Sequence, residues 1–157
     1  TIRGRAYEEA ILRRMPGAEL FPVPCPLFVA MAEDGLVEGP LATGIAARYL
    51  DPVFRIPREQ GLETPDTLVL ACTHFPLLSA AIAEVAGPGV TLVDSGQEVA
   101  RATCQALQER SLANHQGNHG RREYFITDTM ANFQCQAERF LGHPIDGEIQ
   151  RVELAGC

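Results

Sequence analysis

The sequence predicts an α/β fold, an open and mostly parallel sheet with flanking helices. Short apolar runs that suit buried strands, over residues 67–71 and 90–93, alternate with longer segments of helical periodicity. Proline stands near the start of some helical segments, and proline or glycine follows their ends. Buried strands that alternate with helices are typical of parallel sheets.

The remaining elements follow from the same two periodicities. Apolar spacing predicts helices over residues 7–15, 40–50, 76–86, 97–109 and 129–141. Strands are predicted over residues 124–127 and 149–154, with a weaker edge strand over 20–23, where Pro22 and Pro24 limit ladder bonding. Residues 51–65 contain three prolines and one glycine and are predicted to be a connecting segment.

Composition excludes several classes of partner. The 157 residues are 46% hydrophobic, which is enough for a proper core, and the net charge of −7 gives no reason to expect a nucleic-acid partner. No apolar run approaches the roughly 20 residues that span a bilayer, and no charged-then-apolar leader opens the chain. These features predict a cytoplasmic protein that binds neither nucleic acid nor membrane.

Residue counts also bear on cofactors. All 13 basic residues are arginine, so this chain has no lysine to form a Schiff base with pyridoxal phosphate. The five cysteines show no zinc-binding spacing, and their odd number suits reduced thiols. His115 and His119 are four residues apart, but in a glycine-containing loop a solvated pair is favoured over a metal pair. We therefore expect no cofactor and no metal.

The strongest chemical motif follows the strand predicted over residues 67–71. Cys72, Thr73 and His74 stand where that strand ends, and Pro76 suits the first turn of the next helix. A thiol at such a place is favoured as a base or nucleophile, Thr73 offers a hydroxyl to a carboxylate, and His74 can relay a proton near neutral pH. We predict Cys72 and His74 as catalytic and Thr73 and His74 as substrate-binding. The alternative is a thiol that is merely buried.

Three segments carry a family resemblance. The Cys-Thr-His-Phe-Pro-Leu-Leu run from Cys72, the Val-Asp-Ser-Gly run from Val93 and the Cys-Pro-Leu-Phe-Val run from Cys25 resemble glutamate racemase, of the aspartate/glutamate racemase superfamily. The likeness covers nearly all of this chain but only the second part of such an enzyme. His74 stands where aspartate racemases, the nearest alternative, usually carry glutamate, so glutamate is the expected substrate. The resemblance implies a homo-oligomer, a dimer, in the full-length enzyme.

The resemblance also implies a mechanism and a domain plan. Racemases of this family use two cysteine bases on opposite faces of the substrate, without a cofactor, and provide D-glutamate for peptidoglycan, the cell wall polymer that maintains cell shape. Cys72 matches the second base, whereas the first lies on a Cys-Asn-Thr segment that this sequence does not contain. Residues 1–93 would form the second racemase domain. Residues 94–157 would return to the first domain and would leave an apolar edge or face exposed here.

Several residues remain open between two interpretations. Glu33 matches an acidic position near the active site of the family and is either an auxiliary acid-base or orienting residue or a solvated helix-end residue. Cys25 is expected to be a small buried residue, and Cys104 to be a packing residue. Asp94 and Ser95 are expected to cap a helix. A non-catalytic carboxylate-binding module is the alternative to an enzyme.

Overall fold

The computed structural model describes residues 2–115 and 120–154, and it alternates helices with short strands as predicted. Two compact units are present, Thr1–Ala106 and Leu107–Cys157. The seven α-helices of the described residues are α1 (Ala6–Arg14), α2 (Pro26–Asp34), α3 (Gly39–Leu50), α4 (Arg55–Glu59), α5 (Ser79–Ala86), α6 (Ser95–Glu109) and α7 (Met130–Leu141), and short 3-10 helices lie at Ile2–Gly4 and Phe75–Leu78.

The described residues contain four strands, which form two parallel pairs. In the first unit β1 (Thr67–Leu70) pairs with β2 (Thr91–Asp94), with Thr67 opposite Thr91 and Leu70 opposite Asp94. In the second unit β3 (Glu123–Ile126) pairs with β4 (Glu148–Arg151). A helical connection of more than a dozen residues separates the members of each pair, as parallel pairing requires. The predicted α/β class with parallel strands is confirmed.

The core of the first unit lies among α2, α3, α5 and the end of β1. Small residues on α3 let the helices approach closely, and larger side chains fill the space between them. The fully buried large side chains are Phe28, Phe54, Leu78 and Ile82. Ala42, Ala46 and Ala86 are also fully buried, so this helix contact has little room for larger residues.

An arginine completes the end of α5. Gly87 follows the helix with φ of 86°, a conformation that glycine adopts without strain. The guanidinium of Arg58 donates a hydrogen bond to the carbonyl of Ala86 and lies 5.4 Å from the centre of the Phe54 ring. Because the last carbonyls of a helix lack intrahelical donors, Arg58 satisfies a group that the helix itself cannot.

Three local predictions differ from the structure. Residues 20–23 form no strand, since Pro22 and Pro24 lack the amide donors that a ladder needs. The segment predicted as one helix from Pro76 begins instead as a 3-10 helix, in which Leu77 bonds to the carbonyl of His74, and α5 starts only at Ser79. The connecting segment 51–65 contains the short helix α4, which was not predicted because prolines interrupt the periodicity of the segment.

The second unit is sparsely packed. Ile126 is its only buried apolar side chain among the described residues, and α7 buries none of its residues fully. Phe125, Met130, Phe140 and Leu141 are all exposed. This agrees with the exposed apolar face expected for the later part of the chain. The predicted division at residues 93 and 94 stays a prediction, while the division by contacts falls inside α6.

Among the described residues, no helix is both long enough and apolar enough to cross a bilayer.

Candidate functional site

The predicted motif occupies a tight turn at the carboxyl end of β1. The amide of Ala71 bonds to the carbonyl of Val69 at 3.0 Å, and the amide of Phe75 bonds to the carbonyl of Cys72 at 3.2 Å. These two bonds turn the chain sharply between the strand and the 3-10 helix. The side chains of Cys72, Thr73 and His74 are thereby held next to the end of a parallel strand, where ligands bind in open α/β sheets.

Both neighbours of His74 in the motif approach one nitrogen of its ring. The Cys72 sulfur lies 3.9 Å from Nδ1, and the Thr73 hydroxyl oxygen lies 3.4 Å from the same atom. Cys72 is half-buried and Thr73 is exposed. The structure therefore brings together the three residues that the sequence singled out, with the thiol and the hydroxyl on the Nδ1 side of the imidazole.

The opposite side of the imidazole faces Glu33. Its carboxylate oxygen Oε1 lies 3.4 Å from His74 Nε2. Glu33 stands in the last turn of α2, where no basic side chain offsets the negative end of the helix dipole. An acidic residue at that end is unfavourable for the helix, so the contact with His74 offers a reason for its position. Of the two interpretations of Glu33, the geometry favours the orienting role.

The order carboxylate, imidazole, thiol has a chemical consequence. A ring that donates Nε2–H to Glu33 presents the lone pair of Nδ1 to the thiol and hydroxyl. In that tautomer His74 can accept a proton from Cys72 and return it. A base oriented by a third group is the usual arrangement that activates a weak nucleophile or base.

Cys25 lies in a different environment and is confirmed as a small buried residue. Its side chain is 7% exposed, and its thiol donates a weak hydrogen bond to the Val23 carbonyl at 3.5 Å. Burial raises the pKa of the Cys25 thiol to about 11. The thiol is therefore protonated at neutral pH and has no acid-base partner of the kind that Cys72 has.

The junction of β2 and α6 is hydrogen-bonded to the end of β1, the strand that precedes the motif. Asp94 accepts a hydrogen bond from the Gly96 amide at 2.8 Å, which is the capping geometry predicted for it. Ser95 instead donates to the carbonyl of Leu70, the last residue of β1, at 3.1 Å. Ser95 thus ties β2 to the end of β1, a role that the sequence did not reveal because the bond joins distant residues.

The cysteines on α6 and α7 are both exposed. Cys104 is exposed on α6, so its predicted packing role is wrong, and Cys135 is exposed on α7. His119 and Cys157 lie outside the described residues. In the described part of the chain, no three potential ligands cluster closely enough to hold a metal ion.

A cavity of about 330 Å³ lies beside the second strand, and its lining residues are Leu70, Pro76, Ser79, Thr91, Leu92, Val93, Asp94, Gln97 and Glu98. None of the three motif residues lines it. The cavity is therefore lined by the two strands and by residues that follow them, and not by the motif itself.

The sequence did not predict that three aromatic residues pack against one another beside the site. Phe28 on α2 packs edge-on against Phe75, the residue after His74, and against Tyr49 on α3, with ring centres 5.3 Å apart in both pairs. Phe28 is fully buried. The only sequence signal was the aromatic character of these three positions, because their distances along the chain do not predict contact.

Comparison with known proteins gives consistent results. No family model matches the chain. The glutamate racemase of Syntrophus aciditrophicus is 40% identical over 154 residues, covering 98% of this chain and 54% of that protein. Glutamate racemase isoform RacE1 from Bacillus anthracis has a TM-score of 0.83 at 28% identity, with 98% of this chain and 54% of that chain covered.

A second solved structure, glutamate racemase from Francisella tularensis in complex with D-glutamate, has a TM-score of 0.80 at 27% identity. It too is matched over 98% of this chain and 54% of its own length. The chain spans about half the length of the curated relatives it matches. In both sequence and fold, this chain is similar to glutamate racemases along nearly its whole length.

Proposed function

We propose that this chain provides one of the two acid-base sites of a cofactor-independent glutamate racemase, with Cys72 as the base. The alignment of Glu33, His74 and Cys72 at the carboxyl end of β1 is the observation that carries the proposal. Thr73 and His74 would bind the substrate carboxylate or the developing negative charge. The homology with glutamate racemases supports glutamate as the substrate.

The chemistry requires two bases. The Cys72 thiolate removes the α-proton from one face of glutamate and becomes a thiol, and the electron pair left on carbon is stabilised by positioned hydrogen bonds. A second thiol then donates a proton to the opposite face and becomes a thiolate. Proton count is conserved and only the configuration at the α-carbon changes. We assign that second thiol to a part of the enzyme outside these 157 residues.

His74 and Glu33 would keep Cys72 ready for either direction. With the imidazole held by the Glu33 carboxylate, Nδ1 can take the proton of the Cys72 thiol, and the resulting thiolate then removes the α-proton. In the opposite direction the Cys72 thiol gives its proton to the substrate, and the thiolate that remains recovers a proton from the imidazolium. The absence of lysine from the chain fits a reaction without pyridoxal phosphate in this part of the protein. The product D-glutamate would supply peptidoglycan synthesis in the bacterial cytoplasm, and the whole enzyme would act as a homo-oligomer, a dimer.

Solvent deuterium exchange at the α-carbon tests this proposal. D- and L-glutamate are incubated in D₂O with the chain alone and with the other half of a related glutamate racemase, and exchange is followed by NMR. We expect exchange in the combined sample and a loss of at least about 100-fold in Cys72→Ser, because general acid-base groups contribute about 10²–10⁴-fold.

Cys104→Ser is the matched control, since Cys104 is an exposed thiol on a helix of the same unit and should leave exchange unchanged. If a complex of the two halves forms but shows no exchange, the racemase proposal is wrong. In that case glutamate binding without exchange would favour the non-catalytic carboxylate-binding module.

A further inference from the structure

The N-terminus of α2 lacks a capping side chain of its own. Cys25, at the N-cap position, makes no side-chain hydrogen bond to the helix, and Pro26 has no amide hydrogen to donate. The amide of Leu27 donates instead to the hydroxyl of Tyr49 on α3, at 3.2 Å. A side chain from a different helix therefore takes the place of the missing cap.

The ring of Tyr49 makes a second contact with the same helix turn. It meets Phe28 edge-on, with ring planes at 80°, and Phe28 meets Phe75 at 90°. Such edge-to-face contacts are geometrically specific. Phe75 directly follows His74. The contacts of Tyr49, Phe28 and Phe75 therefore connect α3, the start of α2 and the segment that carries the imidazole.

The opposite end of α2 carries Glu33. Glu33 is six positions after Leu27, which is about 9 Å along the helix axis at the usual rise per residue. Gly35, with φ of 75°, ends the helix, and the amide of Leu36 bonds back to the carbonyl of Met31 at 2.8 Å. The helix is thus closed at its far end, and a shift at its start would carry Glu33 with it.

We propose that Tyr49 is a positioning residue for the acid-base site, acting through α2. Its hydroxyl sets the start of the helix, and its ring keeps Phe28 against Phe75. Together these contacts determine how the Glu33 carboxylate meets His74 Nε2, and through His74 they determine the reactivity of the Cys72 thiol. The inference deepens the proposed racemase function and rests on it for its catalytic meaning, although its test does not require racemase activity.

The test measures the rate at which each cysteine of the intact folded chain reacts with iodoacetamide at pH 7.5, with peptides resolved by mass spectrometry. Tyr49→Phe removes only the hydroxyl, and Tyr7→Phe is the matched control on α1. We expect Tyr49→Phe to slow alkylation of Cys72 by about threefold or more, since one hydrogen bond contributes about a factor of five. Tyr7→Phe should leave the rate unchanged.

Cys25 is an internal measure of folding in the same sample. Its thiol is buried and should stay protected in the folded chain, so a variant that unfolds would expose Cys25 together with Cys72. A merely structural loss would therefore change both rates. The positioning role predicts a change at Cys72 while Cys25 remains protected.

Combination with Glu33→Gln completes the test. Glu33→Gln alone should slow the alkylation of Cys72. In the double variant with Tyr49→Phe, Cys72 should be alkylated no more slowly than in Glu33→Gln, because both changes act through one contact. Additive effects, or an unchanged Cys72 rate in Tyr49→Phe or in Glu33→Gln, would overturn the inference. The alkylation rates are measured without deuterium exchange. The racemase proposal and the positioning role can therefore fail independently of each other.

Discussion

The two units of the chain use similar elements but differ in how much they bury. Each unit, Thr1–Ala106 and Leu107–Cys157, contains one parallel strand pair and amphipathic helices. In the first, helix faces meet one another and bury large side chains completely, such as Ile82 on α5. In the second, the apolar residues of α7 remain partly or fully exposed, and Phe140 is 42% exposed. Similar sequence patterns therefore produce a packed core only where a second apolar face is available.

The candidate site lies on the more densely packed unit. The motif from Cys72 to His74 follows a strand whose last residue is buried, and Glu33 stands on a helix whose Phe28 is buried. Acid-base catalysis requires groups that keep their geometry within a few tenths of an ångström. A site on the sparsely packed second unit would lack that support.

The largest expected effect compares a buried residue of the first unit with an exposed apolar residue of the second. We expect Ile82→Ala to lower the free energy of unfolding by about 3 kcal/mol, because it removes buried methylene groups and leaves a cavity. Phe140→Ala should lower it by less than about 1 kcal/mol, because the residue is already 42% exposed. Urea denaturation followed by circular dichroism measures both, and Ile82→Val provides an intermediate step. A loss above about 2 kcal/mol for Phe140→Ala would mean that the face of α7 is covered in solution.

The buried thiol of Cys25 is expected to change the free energy of unfolding by about 2 kcal/mol as the pH rises. Its pKa is raised by burial from 9.0 to about 11, so the folded state holds the thiol proton more tightly than the unfolded state. The stabilisation is complete below pH 9 and is lost as the pH rises through 11. Cys25→Ala should therefore lose less stability than the parent chain between pH 8 and pH 11.

Denaturant titrations at each pH measure this difference, and Cys135→Ala is the control because Cys135 is exposed in the second unit. The same pH dependence in all three chains would show that Cys25 is accessible to water. That result would weaken the contrast between the packed first unit and the open second one.

The smallest expected change in stability comes from arginine substitutions, which compare one specific hydrogen bond with ordinary surface ion pairs. Arg58→Met removes the hydrogen bond to the Ala86 carbonyl and should destabilise the chain by about 1 kcal/mol. Arg55→Met removes exposed pairs with Asp51 and Glu59 and should destabilise the chain measurably less than Arg58→Met does, because water and salt screen such pairs. Thermal unfolding in low and high salt measures both. Equal effects would show that Arg58 acts only as a surface charge.

Local sequence signals were sufficient for most elements and for the motif. The helices α1, α3 and α7 follow apolar spacing, and β1 and β2 follow short apolar runs, because these patterns repeat over neighbouring residues. Cys72, Thr73 and His74 were found because a strand end and a helix start enclose them. Three of the failures, the strand over residues 20–23, the missed α4 and the late start of α5, lie at prolines, where local propensity is ambiguous.

The sequence by itself determined the alternation of strands and helices and the burial of Cys25. It also determined that the thiol, hydroxyl and imidazole lie in one turn. Only the tertiary structure decided that Glu33 meets His74, that Tyr49 completes the start of α2, and that Ser95 holds the end of β1. The physical reason is distance along the chain. Periodicity records which face of an element is apolar, whereas the partner of a polar group is chosen by the packing of faces that come from separate segments.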